Sequence, residues 1–195
     1  MTTKENVKSN KLITYLSSTT ALKIFWISSF AILTAIAAQF TIPVKPVPFT
    51  LQTLMVLLAG SVLGAKNGAY SQLVYLAVGA IGLPVFAQTG DTFGIARLFG
   101  PTGGYLLSFP IAAYLVGYLV EKNNNYFAVA ASMLAANILI LIIGAMYLNF
   151  VYLHDFSAAI ISGAALFSVW TVLKVFTAAT IYFLILKNKN YQSSD

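Results

Sequence analysis

The 195-residue sequence has no cysteine, a single histidine (His154) and only five acidic residues. Without cysteine there is no disulfide framework and no thiolate metal site, and one histidine leaves little for imidazole acid–base or metal chemistry. An enzyme would need a nucleophile–base pair or a metal cluster, so none is expected, and neither is a metal or an organic cofactor. The glycine-rich "GPTGGY" lacks a following Gly-Lys-Ser/Thr, so it is not a phosphate-binding Walker loop and ATP hydrolysis is not expected on this chain. Charge is scarce too: 8% of residues are charged and 59% hydrophobic, with a mean hydropathy of +0.83. That excludes an ordinary soluble domain and implies an integral protein of the lipid bilayer. The net charge of +6 is scattered among apolar runs instead of forming a stripe, so nucleic acid is not an expected partner and a topological cause is the better reading.

What is present is a series of long apolar runs. About 20 helical residues cross ~30 Å of hydrocarbon, and turn signals divide the chain into six expected transmembrane helices, at 21–42, 50–64, 68–84, 103–121, 126–150 and 167–186. Residues 1–20 read as a polar cytoplasmic N-terminal segment, 21–187 as a single membrane domain and 188–195 as a cytoplasmic tail. The first run is too long for a signal h-region and lacks a cleavage site, so it is expected to be retained. The second is short, bounded by "PVKPVP" and "GAKNG", and "FSAAIISGAALFSV" (156–169) reads as a loop or half-helix dipping in from the outer side. With both termini inside, Lys4, Lys8, Lys11, Lys23, Lys66, Lys122, Lys187 and Lys189 fall on the inner side, against Lys45 and Arg97 outside, as the positive-inside rule requires. The expected fold is thus an all-α integral membrane protein, multi-pass in the cell membrane, N-in and C-in, with a glycine-rich outer loop between the third and fourth helices.

Lys174 stands inside the last apolar run, roughly 10 Å below its outer end at 1.5 Å per residue. A charged lysine at a helix centre costs about 2.5–3.5 kcal/mol on insertion scales, and snorkelling serves it poorly because its side chain points back toward the helix N-terminus. The apolar runs offer no carboxylate partner except Glu121, at the opposite, inner edge. Lys174 therefore is neutral, faces a wet cavity or awaits an anion, and the anion-binding cavity is the preferred reading. The loop from Leu83 to Tyr105 carries glycine at 90, 94, 100, 103 and 104, so its backbone can approach a ligand and present N–H groups; a plain turn before the fourth helix is the structural alternative. In this loop Arg97 is expected to form an exposed pair with Asp91, worth little, or to draw an anion to the outer mouth. Asp155 beside His154 reads as a solvated charge. Ala31 and Ala35 in "AILTAIAA" have the small-xxx-small spacing that lets helices approach closely, which makes the first helix the preferred docking face for a membrane partner. Gln39, near its outer end, is a minor ligand candidate.

Three motifs, "PVKPVPFTLQTLMVLLAG" (43–60), "YLAVGAIGLPVFA" (75–87) and "GPTGGYLLSFPIAA" (100–113), line up in order and spacing with the BioY family, and the chain resembles these biotin-specific substrate-binding (S) components of energy-coupling-factor transporters over about residues 20–187. The resemblance implies a six-helix subunit that binds its vitamin near the outer surface and is reoriented by a transmembrane coupling protein and a pair of cytoplasmic ATPases. It also implies that the first helix meets the coupling protein through small residues, here Ala31 and Ala35. The family's last helix often reads Pro-Gly-Asp followed three residues later by Lys; here "SVWTVLK" keeps Lys174 and puts Thr171 at the acidic position. By resemblance the lysine meets the carboxylate of biotin, and the acid accepts a hydrogen bond from the ureido ring. Thr171 keeps an acceptor oxygen without its charge, which should weaken a charge-assisted bond. Thr92 and Leu106 likewise stand where some members carry Asn and Arg. The expected ligand is biotin or a similar small carboxylate, and the expected binding set is Lys174, Thr171, Thr92, Tyr105, Gly104, Arg97 and Phe86. Two other readings are weighed: an S component for a biotin-like carboxylate other than biotin, and an ion- or proton-coupled secondary carrier, which would want a titratable carboxylate within the membrane.

Overall fold

In the computed structural model, which describes residues 19–87, 93–155, 157–161 and 169–192, the first helix begins where Thr19 accepts a hydrogen bond from the Leu22 N–H at 3.3 Å, an N-cap that satisfies an otherwise orphaned donor. Helix α1 spans Thr20–Gln39. It stops short of the expected Ile42 because β-branched Thr41 and Ile42 precede Pro43 and favour extended backbone. Those two residues form β1 (Thr41–Ile42), paired antiparallel with β2 (Phe49–Thr50) so that Thr41 faces Thr50 and Ile42 faces Phe49. This small ribbon was not foreseen from the sequence.

Helix α2 runs over Gln52–Ala80 but is broken at Gly64, whose φ of 81° and ψ of 175° are not helical. Glycine is the residue that holds such a backbone without a Cβ penalty. The two halves correspond to the second and third expected helices, and they fold back on each other. A Cβ on Gly68 would collide with the backbone at Ala59 and Gly60, and Gln52, at the start of the first half, donates to the Tyr75 hydroxyl near the end of the second. At the break, Glu121 Oε1 accepts the Ala65 N–H at 2.9 Å, a carboxylate placed at a new helix N-terminus, where the helix dipole favours it.

A single turn, α3 (Ile95–Leu98), leads into α4 (Gly103–Lys122). Helix α5 (Tyr126–Leu148) is capped by Asn125, which accepts from the Ala128 N–H at 2.7 Å, and runs on through a π-helical turn at Asn149–Leu153. Asp155, expected to be merely solvated, accepts from the Ala158 N–H at 3.1 Å and so caps the short helix at 157–161. The remainder of "FSAAIISGAALFSV" up to Ser168 lies outside the described residues. Helix α6 (Val169–Gln192) is the last element.

The broken helix α2 is central. It packs most extensively on α4 and also on α1, while α5 packs on α4 and α6 closes against α2 and α5. Val56, Leu57, Val116, Val129, Met133 and Tyr182 are fully buried between them, whereas Phe25, Ile32, Ile36, Leu73, Ile142 and Phe176 face outward. An outward apolar face over helices of this length is what a bilayer selects. Among the described residues, Thr20–Gln39, Gly103–Lys122 and Tyr126–Leu153 are long and apolar enough to cross a membrane; the apolar part of α6 is Trp170–Leu186.

Ala31 is buried and Ala35 half-buried against the core, and between them Thr34 accepts a hydrogen bond from Gln72 of α2 at 3.3 Å. The small side chains of α1 let it approach α2 closely.

Candidate functional site

The antiparallel hairpin of α2 and the returns of α4, α5 and α6 bring the start of α2, the start of α4, the second half of α5 and the start of α6 to one end of the bundle. They enclose a cavity of about 670 Å³, its open mouth included. Glu121 and the break at Gly64 mark the opposite end.

Lys174 lies on the cavity wall. Its Nζ donates to the Thr53 hydroxyl at 2.8 Å and to the Thr50 carbonyl at 3.2 Å, so two neutral oxygens hold the ammonium and leave its charge uncompensated. Thr171, one turn earlier on the same helix face, is buried and also lines the cavity. Behind the lysine's acceptors runs a polar chain: Thr50 donates to Gln52 Oε1 at 2.9 Å, Gln52 donates to the Tyr75 hydroxyl at 2.5 Å, and Tyr75 donates to the Val85 carbonyl at 3.2 Å. It ties β2 and the start of α2 to the segment that follows Ala80, and so holds the Lys174 acceptors in place.

Arg97 is the second cation. Where the sequence suggested an exposed side chain, the arginine is 4% exposed and lines the cavity, and one guanidinium nitrogen donates to the Ala87 carbonyl at 2.5 Å. The glycine at 94 (φ 63°) begins the one-turn α3 and turns that side chain inward. Burial lowers its pKa from the ordinary arginine value, and Tyr75 pulls it partly back; an arginine is still cationic at neutral pH. Asp91 and Thr92 lie outside the described residues. Among the described residues no Asp or Glu lines the cavity.

The remaining wall is apolar and aromatic. Phe86 packs on Gly79, where a Cβ would occupy its ring, and meets Tyr75 edge to face at 5.4 Å. Phe109, Leu106, Ile140 and Leu141 complete the surface. The hydroxyl of Tyr105, in the same wall, is buried with no hydrogen-bond partner. A buried polar atom without a partner is costly and asks for an explanation, and a ligand group is a direct one.

Of the expected binding set, Lys174, Thr171, Tyr105, Arg97 and Phe86 are brought together around one cavity. Gly104 is not on its wall: a Cβ there would collide with Tyr147 of α5, so this glycine serves the close approach of α4 to α5. Gln39 lies outside the cavity as well, donating at 3.2 Å to Ala35 of its own helix and at 3.5 Å to Pro84. The sequence reading missed Thr53, Gln52 and Asn137. The signal was available for the last two, since an amide side chain inside an apolar run is expensive unless it has a partner or a task.

The geometry can be compared with known proteins. The sequence profile of the BioY family matches residues 6–190. The chain is 41% identical over 152 residues to "Biotin transporter BioY" of Thermotoga maritima, covering 78% of this chain and 88% of that one. It is also 41% identical over 162 residues to "Probable biotin transporter BioY" of Pyrococcus horikoshii, covering 83% and 94%. Its fold is similar to a crystal structure of "the S-component for biotin from an ECF-type ABC transporter", with a TM-score of 0.77 and 26% identity over 96% of this chain and 95% of that one.

Proposed function

The chain belongs to the BioY family, and on that premise we propose that it is the substrate-binding subunit of a vitamin importer that captures biotin at the outer face of the cell membrane. The observation that carries the ligand class is the pairing of Lys174 and Arg97 on a largely apolar cavity that no acid lines among the described residues. Such a site favours a small molecule with one carboxylate and an apolar body, because the lysine held only by neutral oxygens gains a counter-ion while the wall gains buried area. Biotin, with a valerate tail on a compact bicyclic head, has that form. The relatives named biotin transporters support the same ligand.

The subunit is read as six helices with both termini inside, the halves of α2 counting as two. In that orientation the cavity end faces outward and Glu121 inward. Chemistry is not expected on this chain; a transmembrane coupling protein and cytoplasmic ATPases would supply the energy, as the similarity to an S-component of an ECF-type transporter suggests. A secondary carrier would want a titratable carboxylate at the ligand site, and the cavity wall offers none among the described residues.

The test is isothermal titration of the detergent-purified protein with biotin, biotin amide and a panel of other vitamins. Tight biotin binding that weakens sharply for the amide supports the reading. No biotin binding, together with binding of a different small carboxylate, overturns the substrate and leaves the class.

A further inference from the structure

Asn137 stands in the apolar run of α5, is 5% exposed and lines the cavity. One of its amide N–H groups donates at 3.3 Å to the carbonyl of Met133, one turn earlier in the same helix. That bond fixes the side chain but uses only part of its capacity, since an amide offers two donors and a carbonyl acceptor. Among the described residues no protein donor is recorded to Asn137 Oδ1. The next polar group on this wall is Tyr105, whose ring packs on Gly144, two turns along α5 from Asn137, and whose hydroxyl is buried without a partner. An amide with spare bonding capacity and an unpartnered hydroxyl, both on the α4–α5 side, therefore share a cavity with two cations, Lys174 and Arg97, contributed by α6 and by α3.

We propose that Asn137 is a specificity-determining residue that binds the neutral, cyclic-urea end of the ligand from the α5 wall, with the Tyr105 hydroxyl as its second polar contact, while the cations hold the carboxylate. This rests on the reading of the ligand as biotin and deepens it. A urea ring presents N–H donors beside a carbonyl acceptor in one plane, and a primary amide presents the complementary pair in one plane. Threonine at 171 supplies a single hydroxyl on the α6 side, which can donate and accept but only at one atom, whereas an amide sets a donor nitrogen and an acceptor oxygen side by side. A neutral reader also suits a cavity that already holds two positive charges, because it adds no competing counter-ion for the carboxylate.

The test uses full-length protein in detergent, with biotin and biotin amide titrated against wild type, Asn137→Leu, Asn137→Asp and Lys174→Met, and thermal unfolding run alongside to verify folding. Leucine costs the fold little, as only the local bond to Met133 is lost. Asn137→Leu is expected to weaken biotin and biotin amide alike, by about tenfold or more, since both keep the urea ring. Asn137→Asp, which keeps an acceptor, retains more of the amide binding than the leucine variant. Lys174→Met weakens biotin and leaves the amide near wild type. The inference is overturned if a folded Asn137→Leu binds both ligands as wild type does, or loses biotin while retaining the amide, which would make Asn137 a carboxylate contact. A wild type that binds neither ligand overturns the functional reading, and this inference with it.

Discussion

The ammonium of Lys174, on the last helix, donates at 2.8 Å to the hydroxyl of Thr53 in the first turn of α2, 121 residues away in the chain. No carboxylate takes part, so the lysine is held in position without being neutralised. Lys174→Met is therefore expected to raise the biotin dissociation constant by roughly tenfold or more, the worth of one charge-assisted hydrogen bond. Thr53→Val, which removes an acceptor but leaves the charge, should cost only a few-fold. Calorimetric titration of both variants decides; equal losses would mean that Thr53 itself holds the ligand.

Arg97 reaches the same cavity from the connection between α2 and α4 and ties down Ala87. Replacing it with glutamine keeps a donor for the Ala87 carbonyl and removes the charge. Arg97→Gln should weaken binding of biotin by about tenfold while affecting biotin amide much less. A loss that is equal for the two ligands would assign Arg97 to holding the loop alone.

Gly60 and Gly117 sit where helices α2 and α4 nearly touch: a Cβ on Gly60 would strike the Ala113 carbonyl, and one on Gly117 the backbone at Ala65. Backbone cannot move aside as a flexible side chain can. Gly60→Ala and Gly117→Ala are each expected to destabilise the protein by about 1–3 kcal/mol, the usual range for overpacking. A lowered melting temperature in detergent is the readout.

Glu121 caps the second half of α2 through the Ala65 N–H. Removing that acceptor with Glu121→Ala should cost about 0.5–2 kcal/mol, as loss of a helix N-cap does, and Glu121→Gln, which keeps an acceptor oxygen, should cost less. Because the cap lies at the end of the bundle opposite the cavity, biotin affinity measured well below the melting temperature is expected to be unchanged in both. A change in affinity would connect the break at Gly64 to the binding site.

How much of this could be read from the chain follows from how local each signal is. Gly64 was legible as a turn, since "GAKNG" divides two apolar runs, but not that the two halves would close on each other through Gly60 and Gly68, a contact made only after folding. The ribbon of Thr41–Ile42 with Phe49–Thr50 was missed because two-residue strands carry almost no period-2 pattern; the proline spacing suggested only a loop. The spacing of Ala31 and Ala35 indicated a close approach, but the packing of α1 on α2 that the structure shows was not legible, because small-residue spacing says that something approaches without saying what. Asn137 was passed over for the opposite reason: a single amide in a long apolar run makes little impression on hydropathy, and its meaning depends on which side of α5 meets a cavity.

By itself the sequence determined residence in the bilayer, the absence of cysteine with a single histidine, and the presence of a lysine with no acid near it in the apolar runs. These depend on composition and on sums over short windows, which folding does not alter. The tertiary structure decided which groups meet. It turned Arg97 onto the cavity that Lys174 lines, gave the lysine neutral acceptors on β2 and α2, set α1 against α2, and put Asn137 and Tyr105 on the wall of that same cavity. Which neighbour a helix face meets is fixed by the packing of elements far apart in the chain, and that packing selects the residues that can hold a ligand.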